Sequence, residues 1–224
     1  MNRFFTTDLI QEIKMYQESH PELKTKSHHF VFDCPLNAAN TEKPDFIWMG
    51  INPGNDEEDW GKTNYMNDEE TRERNFQEIY GRSRGSKTRM TKLKTFLGQS
   101  VYDRTTHTEL FFWCSKNLDR DFKNRYSTSF NQSPHLEFCV RLNMELINRV
   151  EPKAIFFESL DKISLVNDYY KLKKIRTHRA NSRVINEYLL DDRHRLLNFD
   201  HLSAGPPASL ERTEVSKVVR QLIQ

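Results

Sequence analysis

The sequence predicts an α/β protein: a three-layer α/β/α sandwich around a central, mainly parallel sheet of about four strands. Two observations lead there. First, several short apolar runs lack alternation, at 46–49, 110–114 and 154–157. Strands buried on both faces read this way, and both faces are covered where helices flank a sheet. Second, helical stretches alternate with these runs along the chain, the pattern of βαβ units. The 224 residues suffice for one such domain with a substantial core and would cramp two, so 1–224 is read as a single domain.

The elements follow in order. Residues 7–20 form a first helix, with Leu9, Ile13 and Tyr16 on one face, Thr7 or Asp8 as cap and Pro21 after its end. Residues 28–34 read as a small strand and 37–44 as a loop. Phe46, Ile47, Trp48 and Met49 make the first core strand, which Asn52, Pro53 and Gly54 stop abruptly. Residues 55–78 hold two acidic clusters, Asp56 to Asp59 and Asp68 to Glu70, and read as an ordered lid or loop with a helical turn. A helix over 86–97 has Ser86 as cap, Met90, Leu93, Phe96 and Leu97 as its apolar stripe, and Gly98 as terminator. The second buried strand, 110–114, leads to Ser115, Lys116 and Asn117. Residues 119–132 read as a polar loop. Ser133 and Pro134 open a helix to Val150, with Pro at the first helical position and Leu136, Cys139, Val140, Ile147 and Val150 facing inward. Strand 154–157, helix 161–172, strands 184–190 and 194–199 and a closing helix over 209–223 complete the chain.

Charge is uneven. The net value of +2 neither demands nor forbids a nucleic-acid partner, but its distribution is informative. No acidic residue occurs over 79–102, which holds Arg82, Arg84, Lys87, Arg89, Lys92 and Lys94. None occurs over 169–186, which holds Lys171, Lys173, Lys174, Arg176, Arg179 and Arg183. Two basic blocks in a near-neutral chain predict a charged face; solvated helix surfaces are the alternative. Cys34, Cys114 and Cys139 are far apart and odd in number, which predicts free thiols in a reducing cytoplasm, with no disulfide framework and no zinc knuckle. There is no signal-peptide pattern and no run of transmembrane length. No metal or organic cofactor is expected.

Two stretches carry chemistry. Gly50, Ile51, Asn52, Pro53 and Gly54 follow the first core strand, and His201, Leu202, Ser203, Ala204, Gly205, Pro206 and Pro207 follow the last. In an open α/β sheet, ligands bind beyond the carboxyl ends of the strands. The pair, about 150 residues apart, resembles the two signature loops of the uracil-DNA glycosylase superfamily. The first matches the Gly-x-Asn-Pro-Gly form of the single-strand-selective and mismatch-specific branches. The second matches His-Pro-Ser in part, with Leu202 where the family usually has Pro. The resemblance spans about 44–207 by element order, and the four-cysteine set of the iron–sulfur branches is missing.

The resemblance implies a uracil-DNA glycosylase-like fold and a monofunctional enzyme that flips a pyrimidine out of single- or double-stranded DNA and hydrolyses its N-glycosidic bond. It makes Asn52 and His201 the catalytic pair. Gly50, Ile51, Pro53, Gly54, Ser115, Asn117 and Ser203 would hold the substrate, with Asn117, or Ser115 in its stead, reading the base and Ser203 pinching a phosphate. One of Trp60, Tyr65 and Phe76 would floor the base pocket. Arg82, Arg84, Lys87, Arg89, Lys174, Arg176 and Arg179 would contact DNA. Bond cleavage makes the sugar oxocarbenium-like while the base departs with negative charge. A neutral His201 suits the leaving base, and the Asn52 amide can orient a water without accepting its proton. In the uracil-restricted branch a Tyr stands at the position of Gly54 and excludes five-substituted rings. Gly54 opens that wall, so the expected substrates are uracil-like or modified pyrimidines, met in repair or in defence against modified phage DNA by a cytoplasmic monomer. Two other classes remain: a non-catalytic binder of nucleic acid or modified bases on the same fold, and an unrelated hydrolase-like α/β enzyme. No Gly-x-Ser-x-Gly elbow or P-loop supports the latter.

Overall fold

The computed structural model describes residues 6–26, 30–37, 42–53, 84–115, 117–118, 120–200 and 209–224. Two helices, α1 (Thr7–Ser19) and α2 (Pro21–Lys26), precede β1 (Cys34–Pro35) and β2 (Phe46–Gly50). Then come α3 (Arg84–Leu97), α4 (Gln99–Asp103), β3 (Thr105–Glu109), α5 (Arg120–Tyr126) and α6 (Pro134–Val150). The chain ends with β4 (Ala154–Glu158), α7 (Ile163–Tyr169), β5 (Leu172–Ala180), β6 (Arg183–Leu190), β7 (His194–Phe199) and α8 (Ser209–Leu222).

The sheet has seven strands, not about four, in the order β1-β3-β2-β4-β7-β6-β5. The expected parallel centre is there: β3, β2, β4 and β7 are mutually parallel neighbours. The additions are antiparallel. The two-residue β1 pairs with β3, and the β5–β6 hairpin extends the sheet past β7. The sheet is therefore mixed. The hairpin was half hidden because β5 lies at an edge and exposes most of its side chains, so it has no apolar run.

Successive side chains of each central strand point to opposite faces. Ile47, Met49, Ile155, Phe157 and Leu196 pack with Ile13, Leu23, Phe122, Leu146 and Val166 from α1, α2, α5, α6 and α7. Phe46, Trp48, Phe156, Leu197 and Phe199 pack on the other face with Leu93, Phe96, Tyr102, Val215 and Val219 from α3, α4 and α8. Helices thus cover both faces. α6 begins at Pro134 and buries every residue named for it, and Glu151 closes it in the left-handed region at φ 49°.

Three expectations need correction. The second core strand is 105–109, not 110–114. Its five residues, all polar, are all buried, because Thr106 donates to Asp33 (2.9 Å) and Thr108 to Asn143 (2.8 Å). The apolar run after it is an irregular connection that stays tied to the chain beyond β2. The polar loop over 119–132 contains α5 and a short 3-10 turn, Phe130–Gln132, because Phe122, Tyr126 and Phe130 recur at helical spacing and are buried. α7 is shorter than expected, since Tyr170 is extended and Leu172 already belongs to β5.

The connection from β2 to β3 runs through α3, and that from β3 to β4 runs through α6 on the opposite face. β3 and β4 lie on either side of β2, so the loops after β2 and β4 diverge. That divergence is a topological switch point, where open α/β sheets bind ligands.

Candidate functional site

The carboxyl end of β2 delivers the first motif. Asn52 is half-buried and its amide nitrogen is committed. Nδ2 donates to the Ser115 carbonyl (2.9 Å), to Ser115 Oγ (2.9 Å) and to the Pro53 carbonyl (3.0 Å). The backbone reinforces this link. Leu110 N donates to Gly50 O (2.9 Å), Phe111 N to Ile51 O (2.8 Å) and Ser115 N to Pro53 O (3.1 Å). Tyr126 adds a hydroxyl donated to Cys114 O at 2.9 Å, and burial pushes its pKa up, so it stays a donor. Asn52 and Ser115 are thus one braced unit joining the loops after β2 and β3. Asn52 Oδ1 is the acceptor that this brace leaves unspent.

Gly50 is required by its neighbour. A Cβ there would lie 2.8 Å from Cδ and 3.0 Å from Oε1 of Glu109, the residue opposite it in the β2–β3 register. Glu109 is buried, and Oε1 lies 3.0 Å from His107 Nε2. Its Oε2 has no hydrogen-bond partner among the described residues. On the far side of β2, the buried Glu158 ends β4 and accepts a hydrogen bond from Trp48 Nε1 (3.1 Å). Two buried carboxylates therefore bracket β2 at its carboxyl end. The sequence reading missed both, together with His107, because only the pairing of β3 and β4 with β2 brings them to one strand end.

The other expected site residues divide into three groups. Ile51 is half-buried against the core and Pro53 is buried, so both shape the loop. Asn117 is exposed, and its Oδ1 accepts from Arg120 N (3.0 Å), which caps α5. His201, Ser203, Gly54 and Arg82 lie outside the described residues, as do Trp60, Tyr65 and Phe76 and the side chains of Arg84, Lys87 and Arg89 on α3. The strand that leads to His201 is described. β7 ends at Phe199 beside Glu158, and Asn198 Nδ2 donates to Phe157 O (3.1 Å) and Ser159 O (2.6 Å). Only β4 separates β7 from β2, so the strands that precede the two motifs end at the same edge of the sheet about 10 Å apart, two strand spacings.

The second basic block is β5. Lys174, Arg176 and Arg179 are exposed on this edge strand and make no ion pair among the described residues. The hairpin brings its carboxyl end to the level of the end of β7, where Arg183 pairs with Asp200 at 2.8 Å. The positive strand thus runs up to the edge that carries Asn52. A cleft of about 650 Å³ opens elsewhere, along α6 between Tyr16, Phe138, Met144 and Tyr170, and takes no residue from the loops after β2 or β3. Among the described residues no helix is long and apolar enough to cross a membrane, and Cys34, Cys114 and Cys139 are buried free thiols. No protein-family model matches this chain, and no curated protein matches it.

Proposed function

We propose that this chain is a DNA glycosylase that extrudes a uracil-like or five-substituted pyrimidine and hydrolyses its N-glycosidic bond, acting as a monomer and leaving an abasic site. The observation that carries the reading is the Asn52 brace. An amide fixed through its nitrogen presents its oxygen without freedom to turn, at the carboxyl end of a central parallel strand, and preorganised acceptors of this kind hold an attacking water in place. The ending of both preceding strands at one sheet edge supports the partnership of Asn52 with His201, whose imidazole would donate to the leaving base. Because an amide cannot take a proton, a carboxylate is useful nearby, and Glu109 Oε2 is an acceptor to spare at the same strand end. Gly54, without a side chain, leaves room for a substituent on the ring.

The exposed cations of β5 favour a second reading, a binder that holds nucleic acid on this face without cleaving it. One experiment separates the two. Purified protein is incubated with oligonucleotides carrying uracil, hydroxymethylated, formylated or otherwise modified pyrimidines, then treated with alkali to reveal abasic sites. Cleavage that disappears in Asn52→Ala and in His201→Ala, both still melting cooperatively, is the expected outcome. Binding with no alkali-labile product on any base would leave the binder.

A further inference from the structure

His20 follows the last turn of α1, Glu22 lies in the first turn of α2, and His135 lies in the first turn of α6. One ligand atom from each falls within 4.8 Å of the other two. His135 Nε2 and Glu22 Oε1 are already 3.1 Å apart. The tautomer of His20 is set from behind. His20 Nδ1 lies 2.7 Å from the Tyr16 carbonyl, which can only accept, so Nδ1 carries the hydrogen and Nε2 the lone pair. His135 Nδ1 lies 3.0 Å from the Tyr16 hydroxyl, which can accept Nδ1–H and free Nε2 in the same way. One residue thus backs both imidazoles, in the manner of outer-shell partners of metal-bound histidines. The rings are also held by packing: Tyr16 stacks on His20 at 4.0 Å, and the two imidazoles meet edge to face at 5.2 Å.

We propose that His20, Glu22 and His135 bind one divalent transition-metal ion of the zinc class through two imidazole nitrogens and a carboxylate oxygen, with the fourth position left to water. Two histidines and one carboxylate are a common zinc donor set. Bonds of about 2.0–2.2 Å draw tetrahedral ligands to about 3.3–3.5 Å from one another, so the widest pair must close by up to about 1.5 Å. Glu22 and His135 already stand that close, so the closure falls on His20, which is half-buried, with the half-exposed Glu22 free to adjust and the buried His135 fixed. Sequence reading could not find this site, because His135 lies more than a hundred residues from His20 and Glu22 and meets them only when the corner between α1 and α2 docks on α6. The ion would pin that corner. His135 also packs against Trp113, with ring centroids 6.3 Å apart, two residues before the Ser115 that braces Asn52. The inference holds whether or not the chain is a glycosylase.

The test uses the protein stripped of metal and titrated with zinc against a chromophoric chelator, with cobalt(II) as a visible-absorbing substitute. The expected result is one ion bound more tightly than about 1 µM, and a cobalt spectrum of four-coordinate intensity. His135→Ala would leave a cavity in the core, so the outer ligands are the informative variants. His20→Ala and Glu22→Gln should each weaken binding at least about tenfold while melting cooperatively. His178→Ala, which removes a histidine paired with Glu187 on the hairpin, should leave the affinity unchanged. No binding at micromolar zinc, equal affinity in His20→Ala and Glu22→Gln, or a loss in His178→Ala would each overturn the assignment.

Discussion

A methyl group at position 50 would press on the Glu109 carboxylate, which lies against the strand with little room to move. The glycine that opens the motif is thus demanded by packing within the sheet, whatever the loop beyond it binds. Gly50→Ala should destabilise the fold by about 1–3 kcal/mol, the usual cost of overpacking. In Glu109→Ala the same substitution should cost much less, and urea denaturation of the two single variants and the double variant measures the coupling. Strictly additive losses would show that the two side chains do not meet. Asn52 permits a sharper test. In Asn52→Asp the donor that faces the Ser115 and Pro53 oxygens becomes an acceptor. The cost at neutral pH should be about 1–3 kcal/mol. The opposing oxygens raise the new carboxyl group's pKa in the folded state. The variant should therefore regain stability, relative to wild type, as pH falls through that raised value and the protonated acid donates again, with the recovery complete by about pH 4. A deficit that does not shrink in acid would mean that the amide is not the brace.

The β5 edge strand joins charge to topology. Its exposed cations discourage edge-to-edge pairing with another sheet, and under the proposed function they would also meet phosphates, four strands away from β2. Reversing Lys174, Arg176 and Arg179 should lower the salt slope of DNA binding by about one to two units, with affinity falling alike for all sequences. An unchanged slope in a protein that stays monomeric would leave the strand with edge protection alone. The same strand shows why part of the fold was legible and part was not. Phe46 to Met49 and Ala154 to Phe157 read as strands because burial on both faces demands unbroken apolar side chains. Leu172–Ala180 and Thr105–Glu109 did not, the first because solvent takes its side chains and the second because hydrogen bonds satisfy them inside. In the candidate site, Asn52 and Ser115 could be picked out because each follows an apolar run. The partnership of His107, Glu109 and Gly50 could not, since it exists only in the register between β2 and β3.

Across the whole molecule, the mixed sheet keeps its apolar side chains in two clusters and buries a few titratable groups beside them, so stability should respond to acid in two stages. His194 opens β7 and is buried against α6, with Nε2 3.2 Å from Asn148 Oδ1. Burial, aided by the positive Arg193, holds its pKa below the ordinary histidine value. The folded chain then binds fewer protons than the unfolded chain near that value. The contribution of His194 is complete above about pH 6.5 and is lost as pH falls below it, by at most about 1.4 kcal/mol per pH unit. The second stage belongs to carboxylates. Burial pushes Glu187 up, but hydrogen bonds from His178 and Arg195 outweigh it and leave the group low, while the Arg149 guanidinium holds the more exposed Asp8 down. Their contribution is present above about pH 4 and disappears below it, with only a small share from Asp8 because solvent screens it. Urea midpoints measured from pH 8 to pH 3, with a chelator present throughout, should therefore fall once below about 6.5 and again below about 4. His194→Gln keeps an amide that can donate to Asn148 and removes the titrating ring, so it should shrink the first fall to the share of the buried His135 and leave the second. A first fall that persists unchanged in this variant would assign the proton uptake to another histidine.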